Sequence, residues 1–96
     1  MWWPLVTDPT TYNVTGALTP DVTGAYNLHG TYFGVPYYKL DAQEWYLWSP
    51  FPGRWIIGAT VGELGDPYWM RMVSPPLIGD YQPMLTALGV ATVSPP

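Results

Sequence analysis

Few residues in this sequence have the chemistry needed for catalysis. Among its 96 residues there is one histidine, His29, and there is no cysteine. A catalytic histidine works with a nucleophile that it activates and a carboxylate that orients it. No Gly-x-Ser-x-Gly motif supplies such a nucleophile, and each serine is followed by proline: Ser49, Ser74 and Ser94. We therefore expect His29, which precedes a glycine, to be a polar residue at a turn or at the end of a strand.

The acidic residues occupy positions typical of turns. A glycosidase needs two carboxylates that face each other across a cleft, and Glu63 and Asp66 are close in sequence. Both belong to a glycine-rich stretch, residues 61–67, where aspartate before proline commonly starts a turn. We interpret them as solvated turn residues. A small hydrolase is therefore less favoured than the two non-enzymatic functions described at the end of this subsection. The sequence therefore predicts that the protein is not an enzyme.

Metal and cofactor sites also lack their usual signatures. Zinc sites are built mainly from cysteine and histidine, and one histidine without any cysteine cannot form the usual sets. A calcium loop places acidic residues at alternate positions, a pattern that the sequence does not contain. The glycines of Gly30–Gly34 precede a predicted strand, whereas a phosphate-binding loop leads into a helix. We expect no metal and no cofactor.

The charge of the chain argues against two classes of partner. Its basic residues are Lys39, Arg54 and Arg71, and the formal net charge is −4. Nucleic acids and anionic membranes are both bound through many cations on one face, so we expect neither partner. Charged residues make up 10% of the chain, against about 25% in a typical domain. Such low charge favours association, and we expect a homo-oligomer.

Short aromatic and β-branched runs separated by glycine and proline predict an all-β fold. Ten glycines and twelve prolines interrupt most of the chain, and an interior proline costs a helix about 3 kcal/mol. We predict an apolar N-terminal arm over residues 1–10 and a single β domain over residues 11–96. The domain is expected to be a small antiparallel meander that forms a compact barrel or sandwich of about seven or eight short strands. The predicted strands are Thr11–Leu18, Gly24–His29, Thr31–Phe33, Val35–Leu40, Glu44–Ser49, Arg54–Thr60, Tyr68–Val73 and Gly89–Ser94.

Two strand pairings follow from the same pattern. Glu44–Ser49 and Arg54–Thr60 are joined by Pro50-Phe51-Pro52-Gly53, a short loop ending in glycine that is typical of a β-hairpin. We also expect the first and last strands to pair. That pairing would close the sheet and remove the edge strands that otherwise invite aggregation.

The aromatic residues are too many for one small core. The chain has six tryptophans, eight tyrosines and two phenylalanines. Because side chains alternate along a strand, Trp45 and Leu47 share one face, and Tyr46 and Trp48 share the other. We predict that Trp45 and Trp55 face inward, which would leave a partly exposed aromatic face on the opposite side.

Three interpretations of the outward rings remain open. Both faces of the sheet could be covered within the domain itself. Alternatively, the rings anchor a protein interface, for which tryptophan and tyrosine are well suited, or they stack on sugar rings. The interface candidates are Trp2, Trp3, Leu5, Tyr46 and Trp48. The alternative sugar platform consists of Trp48, Tyr46 and Tyr38.

The spacing of glycine, tyrosine and tryptophan resembles small aromatic-rich β modules of phage virion proteins and of environmental bacterial surface proteins. The resemblance covers residues 12–94, and Thr23-Gly24-Ala25-Tyr26 is the first of the motifs that carry it. It continues through Gly30-Thr31-Tyr32-Phe33-Gly34-Val35-Pro36-Tyr37-Tyr38-Lys39, Trp45-Tyr46-Leu47-Trp48-Ser49, Trp55-Ile56-Ile57 and Tyr68-Trp69. The resemblance implies a β module used repetitively on an outer surface, with no catalytic residues.

These observations predict a non-enzymatic structural or assembly protein of a virion surface. It would be a head decoration or cement protein or a tail-associated protein, and its partners would be other capsid or tail subunits. The N terminus, Met1–Val6, shows no basic segment or cleavage site of a secretory signal. We therefore expect synthesis in the host cytoplasm and a final location on the virion. The alternative function is a carbohydrate-binding or adhesive module that uses exposed tryptophan and tyrosine.

Overall fold

The computed structural model describes residues 10–41, 43–73 and 76–95, and in it the chain forms a closed antiparallel barrel. Each strand pairs with the next along the chain, and β1 pairs with β8. The strands are β1 (Thr11–Thr15), β2 (Gly24–Tyr32), β3 (Val35–Leu40), β4 (Tyr46–Phe51), β5 (Arg54–Gly58), β6 (Tyr68–Arg71), β7 (Gly79–Met84) and β8 (Ala91–Ser94). The predicted all-β meander and its barrel closure are confirmed. The described part of the chain contains no helix with the length and hydropathy to cross a membrane.

The two predicted pairings are both present. In the hairpin of β4 and β5, Phe51 pairs with Arg54, so the turn itself is only Pro52-Gly53. At the closure, Val14 of β1 lies opposite Val93 of β8. Both valine side chains are buried, so the seam of the barrel is packed like the rest of the sheet.

One or both ends of β1, β4, β5, β6 and β8 lie two or three residues from the predicted bounds. Two larger differences concern β2 and β7. The segments predicted on either side of Gly30 form one strand of nine residues, β2, and the pairing register with β3 shifts between Leu28 and Gly30. Such a bulge absorbs an extra residue without ending the strand. Strand β7 was not predicted, because Gly79 and Pro83 are poor strand residues. Pro83 nevertheless lies opposite Trp69 in the sheet.

Side chains fill the interior of the barrel. Adjacent strands contribute a continuous inner row in which Leu47, Ile57 and Trp69 lie opposite one another, and all three are fully buried. Two tyrosines are buried with their hydroxyls paired: Tyr26 donates to the Val22 carbonyl at 2.6 Å and Tyr81 to the Leu77 carbonyl at 2.7 Å. Burial raises the pKa of both phenols far above the ordinary value. The phenols are therefore neutral core groups.

A second buried layer lies outside the barrel. Trp48 and Ile56 are opposite each other on the outer face of β4 and β5, yet they are 1% and 0% exposed. The ring of Tyr32, near the tip of the β2–β3 hairpin, meets the Trp48 ring edge-on at 5.5 Å. Tyr32 also lies against Gly62 in the β5–β6 loop. The end of this hairpin therefore covers part of the outer face.

The loop between β1 and β2 is joined to the loop between β7 and β8. The backbones of Thr19 and Leu88 exchange two hydrogen bonds, at 3.1 and 3.0 Å. The contact is close because glycines stand on both sides of it, Gly16 in one loop and Gly89 in the other. We call this contact the loop clasp. The Trp69 indole N–H, from inside the barrel, donates to the Gly89 carbonyl at 2.9 Å.

Candidate functional site

The structure removes two residues from the predicted binding surfaces. The prediction that Trp48 lies on an exposed face, as interface residue or sugar platform, is wrong, because the β2–β3 hairpin covers it. Tyr38 is also buried and cannot belong to a sugar platform; its ring packs inside the barrel, edge-on to Tyr12 at 4.9 Å. For Trp48, the interpretation that both faces of the sheet are covered within the domain is confirmed.

The predicted orientations of Trp55, Trp45 and Tyr46 agree with the structure to different degrees. Trp55 belongs to the core as expected, while Trp45 is half-buried against it, with its ring 6.3 Å from that of Trp69. Among the described candidates for binding, Tyr46 remains on the outer face and is half-buried. Three interface candidates lie outside the described residues: Trp2, Trp3 and Leu5.

Tyr46 lines a surface cleft. The cleft has a volume of about 460 Å³ and lies on the outer face of the barrel. One wall consists of Tyr37, Glu44 and Tyr46 from β3, the β3–β4 loop and β4. The opposite wall is residues 59–61 at the start of the β5–β6 loop, which contribute Ala59, Thr60 and Val61.

Three rings hold each other in place beside this cleft. The His29 ring lies 5.7 Å from Tyr37 and 6.2 Å from Tyr46, and the two tyrosine rings are 6.0 Å apart. All three pairs are inclined, with interplanar angles between 54° and 66°. Edge-to-face contacts of this kind stabilise aromatic pairs. The rings therefore form a braced cluster on a sheet surface, which we call the tyrosine cluster.

The carboxylate in the cleft is fixed by one of these rings. The Tyr46 hydroxyl donates to a carboxylate oxygen of Glu44. This hydrogen bond is the main cause that raises the pKa of Tyr46 to about 12. Tyr46 is therefore a proton donor at neutral pH, and the exposed Glu44 carboxylate keeps further lone pairs for a second donor.

Sequence reasoning assigned Tyr38 to the sugar platform, where the structure has Tyr37, and it missed Glu44 and Thr60 as site residues. The orientation of Tyr37 could have been predicted, because Tyr38 and Leu40 read as the inward residues of a strand and alternation then turns Tyr37 outward. For Glu44 and Thr60 the sequence holds no comparable signal, since both lie in loops. The β3–β4 loop, with Glu44, and the β5–β6 loop, with Thr60, line one cleft only once the barrel has formed.

Asp66, one of the two acidic residues considered for hydrolysis, has a structural role. Asp66 accepts hydrogen bonds from the Thr86 backbone N–H at 2.9 Å and from its hydroxyl at 2.6 Å. It thereby ties the β5–β6 loop to the turn before β8. Asp21 accepts the same two bonds from Thr23. The interpretation of Asp66 as a solvated turn residue is confirmed, and Glu63 is likewise an exposed loop residue.

These bonds make stability depend on pH. The side-chain hydrogen bond from Thr86, followed by the backbone bond, holds the pKa of Asp66 below its ordinary value of 3.8. A carboxyl whose pKa is lower in the folded state stabilises the fold above the unfolded pKa and loses that effect as the pH falls through the folded pKa. We expect the free energy of unfolding, measured by urea denaturation, to fall at acid pH. Asp66→Asn should be less stable than the wild type near neutral pH, and the difference should shrink in acid.

A difference between Asp66→Asn and the wild type that stays constant from neutral pH to about pH 2 would contradict this assignment. Asp41→Asn serves as a comparison, because among the described residues this exposed carboxylate accepts a bond from the Asn27 side chain, at 2.9 Å, and none from a backbone N–H. Its substitution should change the acid profile less.

His29 lies within β2 at the bulge, not at the end of a strand as expected. Its ring is exposed and contacts the two tyrosines of the tyrosine cluster. Within residues 10–41, 43–73 and 76–95, no three His, Asp or Glu side chains are grouped so that they could hold a metal ion.

Fold and site together define a closed eight-stranded antiparallel barrel with a filled interior and an external cleft that combines aromatic rings with a carboxylate. Comparison of the chain with protein-family profiles, with curated proteins and with solved structures finds no match.

Proposed function

We propose that this protein is a non-enzymatic assembly protein that acts through protein–protein contacts as a structural subunit of a virion surface. The observation that carries the proposal is the conformation of Phe33. This residue forms the tip of the β2–β3 hairpin, where Tyr32 pairs with Val35 and leaves a turn of only two residues. Phe33 has a φ of 49° and Gly34 a φ of 80°. Its side chain is 87% exposed.

Phenylalanine is an unfavourable residue for this turn. A residue with a side chain loses about 1–2 kcal/mol in the left-handed region, and hairpin turns with two positive φ values prefer asparagine or aspartate before glycine. The exposed ring recovers little of this cost by burial, although it meets the Tyr32 ring edge-on at 4.7 Å. Contact of the ring with another molecule would offset the remaining cost.

A second strained position has the same character. Leu85, at the start of the β7–β8 loop, has a φ of 57° and is 71% exposed. Among the described residues, Phe33 and Leu85 are the non-glycine residues with positive φ. Strained backbone is concentrated at functional positions in proteins. That both are large, apolar and exposed supports an interface function for each.

Further apolar surface surrounds the barrel. A groove of about 310 Å³ is lined by Gly53, Met72, Val73 and Pro76. Exposed apolar surface of this kind marks interaction sites. The remaining exposed large apolar residues are Leu28, Phe51, Leu64, Ile78, Leu88 and Val90.

The sequence supports the proposed setting and oligomeric state. Its low charge does little to oppose association between identical subunits, and homo-oligomers are the commonest soluble assemblies. The virion surface, on a head or a tail, is the setting implied by the resemblance to aromatic-rich virion modules. The proposed partners are copies of this chain and other capsid or tail subunits.

Phe33→Asn tests the proposal, because it separates association from folding. Asparagine suits the positive φ, so the free energy of unfolding should rise by about 0.5–1 kcal/mol. Association should weaken, which sedimentation velocity would show as a shift from oligomer towards monomer. The measurements use the full chain over a range of protein concentrations.

Phe33→Leu is the matched control. It keeps an apolar side chain at the tip and should retain most of the association. A wild-type protein that remains monomeric at its highest soluble concentration would overturn the homo-oligomeric proposal. So would a Phe33→Asn variant that is less stable yet associates as the wild type does, because Phe33 would then serve the fold.

A further inference from the structure

We propose that the cleft between the tyrosine cluster and residues 59–61 binds a neutral glycan. This inference is independent of the assembly function, since the cleft lining and the Phe33 hairpin tip share no residue. The residues proposed here differ from the predicted sugar platform, because Trp48 and Tyr38 are buried. The residues proposed to contact the sugar are Tyr37, Glu44, Tyr46 and Thr60.

The shape of the cleft suits a flat ligand. It is open and has a volume of about 460 Å³, within the usual range of small-molecule sites, about 300–1,000 Å³. Tyr46 lies opposite Gly58 in the sheet. Residues directly opposite on one face normally contact each other. Glycine at this position leaves Tyr46 without a cross-strand side chain on its β5 side, so its ring is accessible from that direction, while Lys39 lies opposite it on β3.

The rings are held in a fixed orientation before any ligand arrives. Each member of the tyrosine cluster contacts the other two, with centroid distances of 5.7, 6.0 and 6.2 Å. Tyr46 is further restrained by its bond to Glu44. Side chains that are already ordered lose little conformational entropy on binding. A pyranose can therefore place its apolar C–H face on a tyrosine ring at a low entropic cost.

The polar groups of the cleft match hydroxyl groups. Glu44 is exposed, and its carboxylate accepts one bond from Tyr46 and can accept others from the ligand. Thr60, on the opposite wall, adds a hydroxyl that can both donate and accept. A stacking surface between acceptors on two walls is complementary to a sugar ring bearing hydroxyls along its edge.

The charge of the lining narrows the ligand class. Glu44 carries the charge among the described lining residues, and the nearby cation Lys39, opposite Tyr46 on β3, is not part of that lining. A sulfated or phosphorylated sugar would be repelled by this carboxylate. A quaternary ammonium ion would need rings that surround a common gap, whereas these rings pack against one another. A neutral glycan is not repelled by Glu44 and needs no cage of rings around it.

Isothermal titration calorimetry of the full chain with cellohexaose, maltohexaose and chitohexaose tests the inference. We expect saturable binding of at least one of them, with a Kd of about 1 mM or tighter. Glu44→Gln removes the charged acceptor, and Tyr37→Ala removes a stacking ring. Each should weaken binding at least about tenfold. Circular dichroism should show that Glu44→Gln keeps the fold, since the residue is exposed.

Phe33→Asn is the matched control, because it alters an exposed aromatic residue outside the cleft lining and should leave sugar binding unchanged. Conversely, Glu44→Gln should leave association unchanged, so failure of either proposal is visible separately. The inference is overturned if none of the three oligosaccharides binds, or if Glu44→Gln binds as the wild type does. Binding of tetramethylammonium in place of the sugars would also overturn it, in favour of a cation site.

Discussion

Gly89→Ala is expected to lower the free energy of unfolding by about 3 kcal/mol or more. Gly89 has a φ of 89°, which is unfavourable for alanine. A methyl group there would also overlap the carbonyl oxygen of Ala17 in the facing loop, closer than the 3.0 Å that real Cβ atoms keep. Because the obstacle is backbone, relief requires the loop clasp to open. Urea denaturation followed by tryptophan fluorescence measures the loss.

Gly53 provides a matched control for this prediction. It has nearly the same φ, 91°, but no atom lies within 4 Å of the position that its Cβ would take. Gly53→Ala therefore carries the conformational cost alone, about 1 kcal/mol. Equal losses in the two variants would contradict the importance of the clasp, whereas a clearly larger loss in Gly89→Ala isolates the steric contact.

Trp48→Ala is expected to destabilise the protein by about 3–5 kcal/mol, as truncation of a buried aromatic residue does. On an exposed face the same change would cost within about 0.5 kcal/mol. The side chain is 1% exposed between the sheet and the β2–β3 hairpin, so its removal leaves a cavity. Equilibrium urea denaturation of the full chain distinguishes the two outcomes directly.

Trp48 and Trp69, the most deeply buried tryptophans among the described residues, should respond differently to substitution by phenylalanine. The Trp69 indole N–H is bonded to Gly89, whereas the Trp48 indole N–H is buried and has no hydrogen-bond partner in the described part of the chain. Trp69→Phe leaves the carbonyl of half-buried Gly89 without its donor, whereas Trp48→Phe removes an unsatisfied donor. Trp69→Phe should therefore cost about 1–2 kcal/mol more than Trp48→Phe. A greater loss in Trp48→Phe would show that its N–H is satisfied.

The fold class was predictable because its signals are local. Alternation of side chains and regular turns identified most strands, and the loop ending at Gly53 identified the hairpin of β4 and β5. Strand β7 was not predicted, because glycine and proline, here Gly79 and Pro83, are unfavourable strand residues. They are tolerated here because β7 pairs with both β6 and β8. The bulge beyond Leu28 was also invisible, since it depends on the register with β3.

The candidate site was less predictable, because its residues meet through tertiary structure. Alternation correctly turned Tyr46 and Trp48 away from the interior, but it could not reveal that the Tyr32 hairpin covers only one of them. Outward and exposed are different properties whenever a neighbouring hairpin bends over a sheet. The cleft likewise depends on the β5–β6 loop, which brings Thr60 towards Glu44.

The seam between β1 and β8 has a consequence for synthesis of the protein. Asn13 pairs with Ser94. During synthesis, β1 therefore cannot pair with β8 until nearly the whole domain has left the ribosome. Until then the nascent sheet presents an open edge with Val14 beside it. Long-range pairing of this kind folds slowly and leaves the chain open to aggregation. A chain truncated before Ala91 would lack β8, and the edge of β1 would stay unpaired. We therefore expect such a truncated protein to be insoluble.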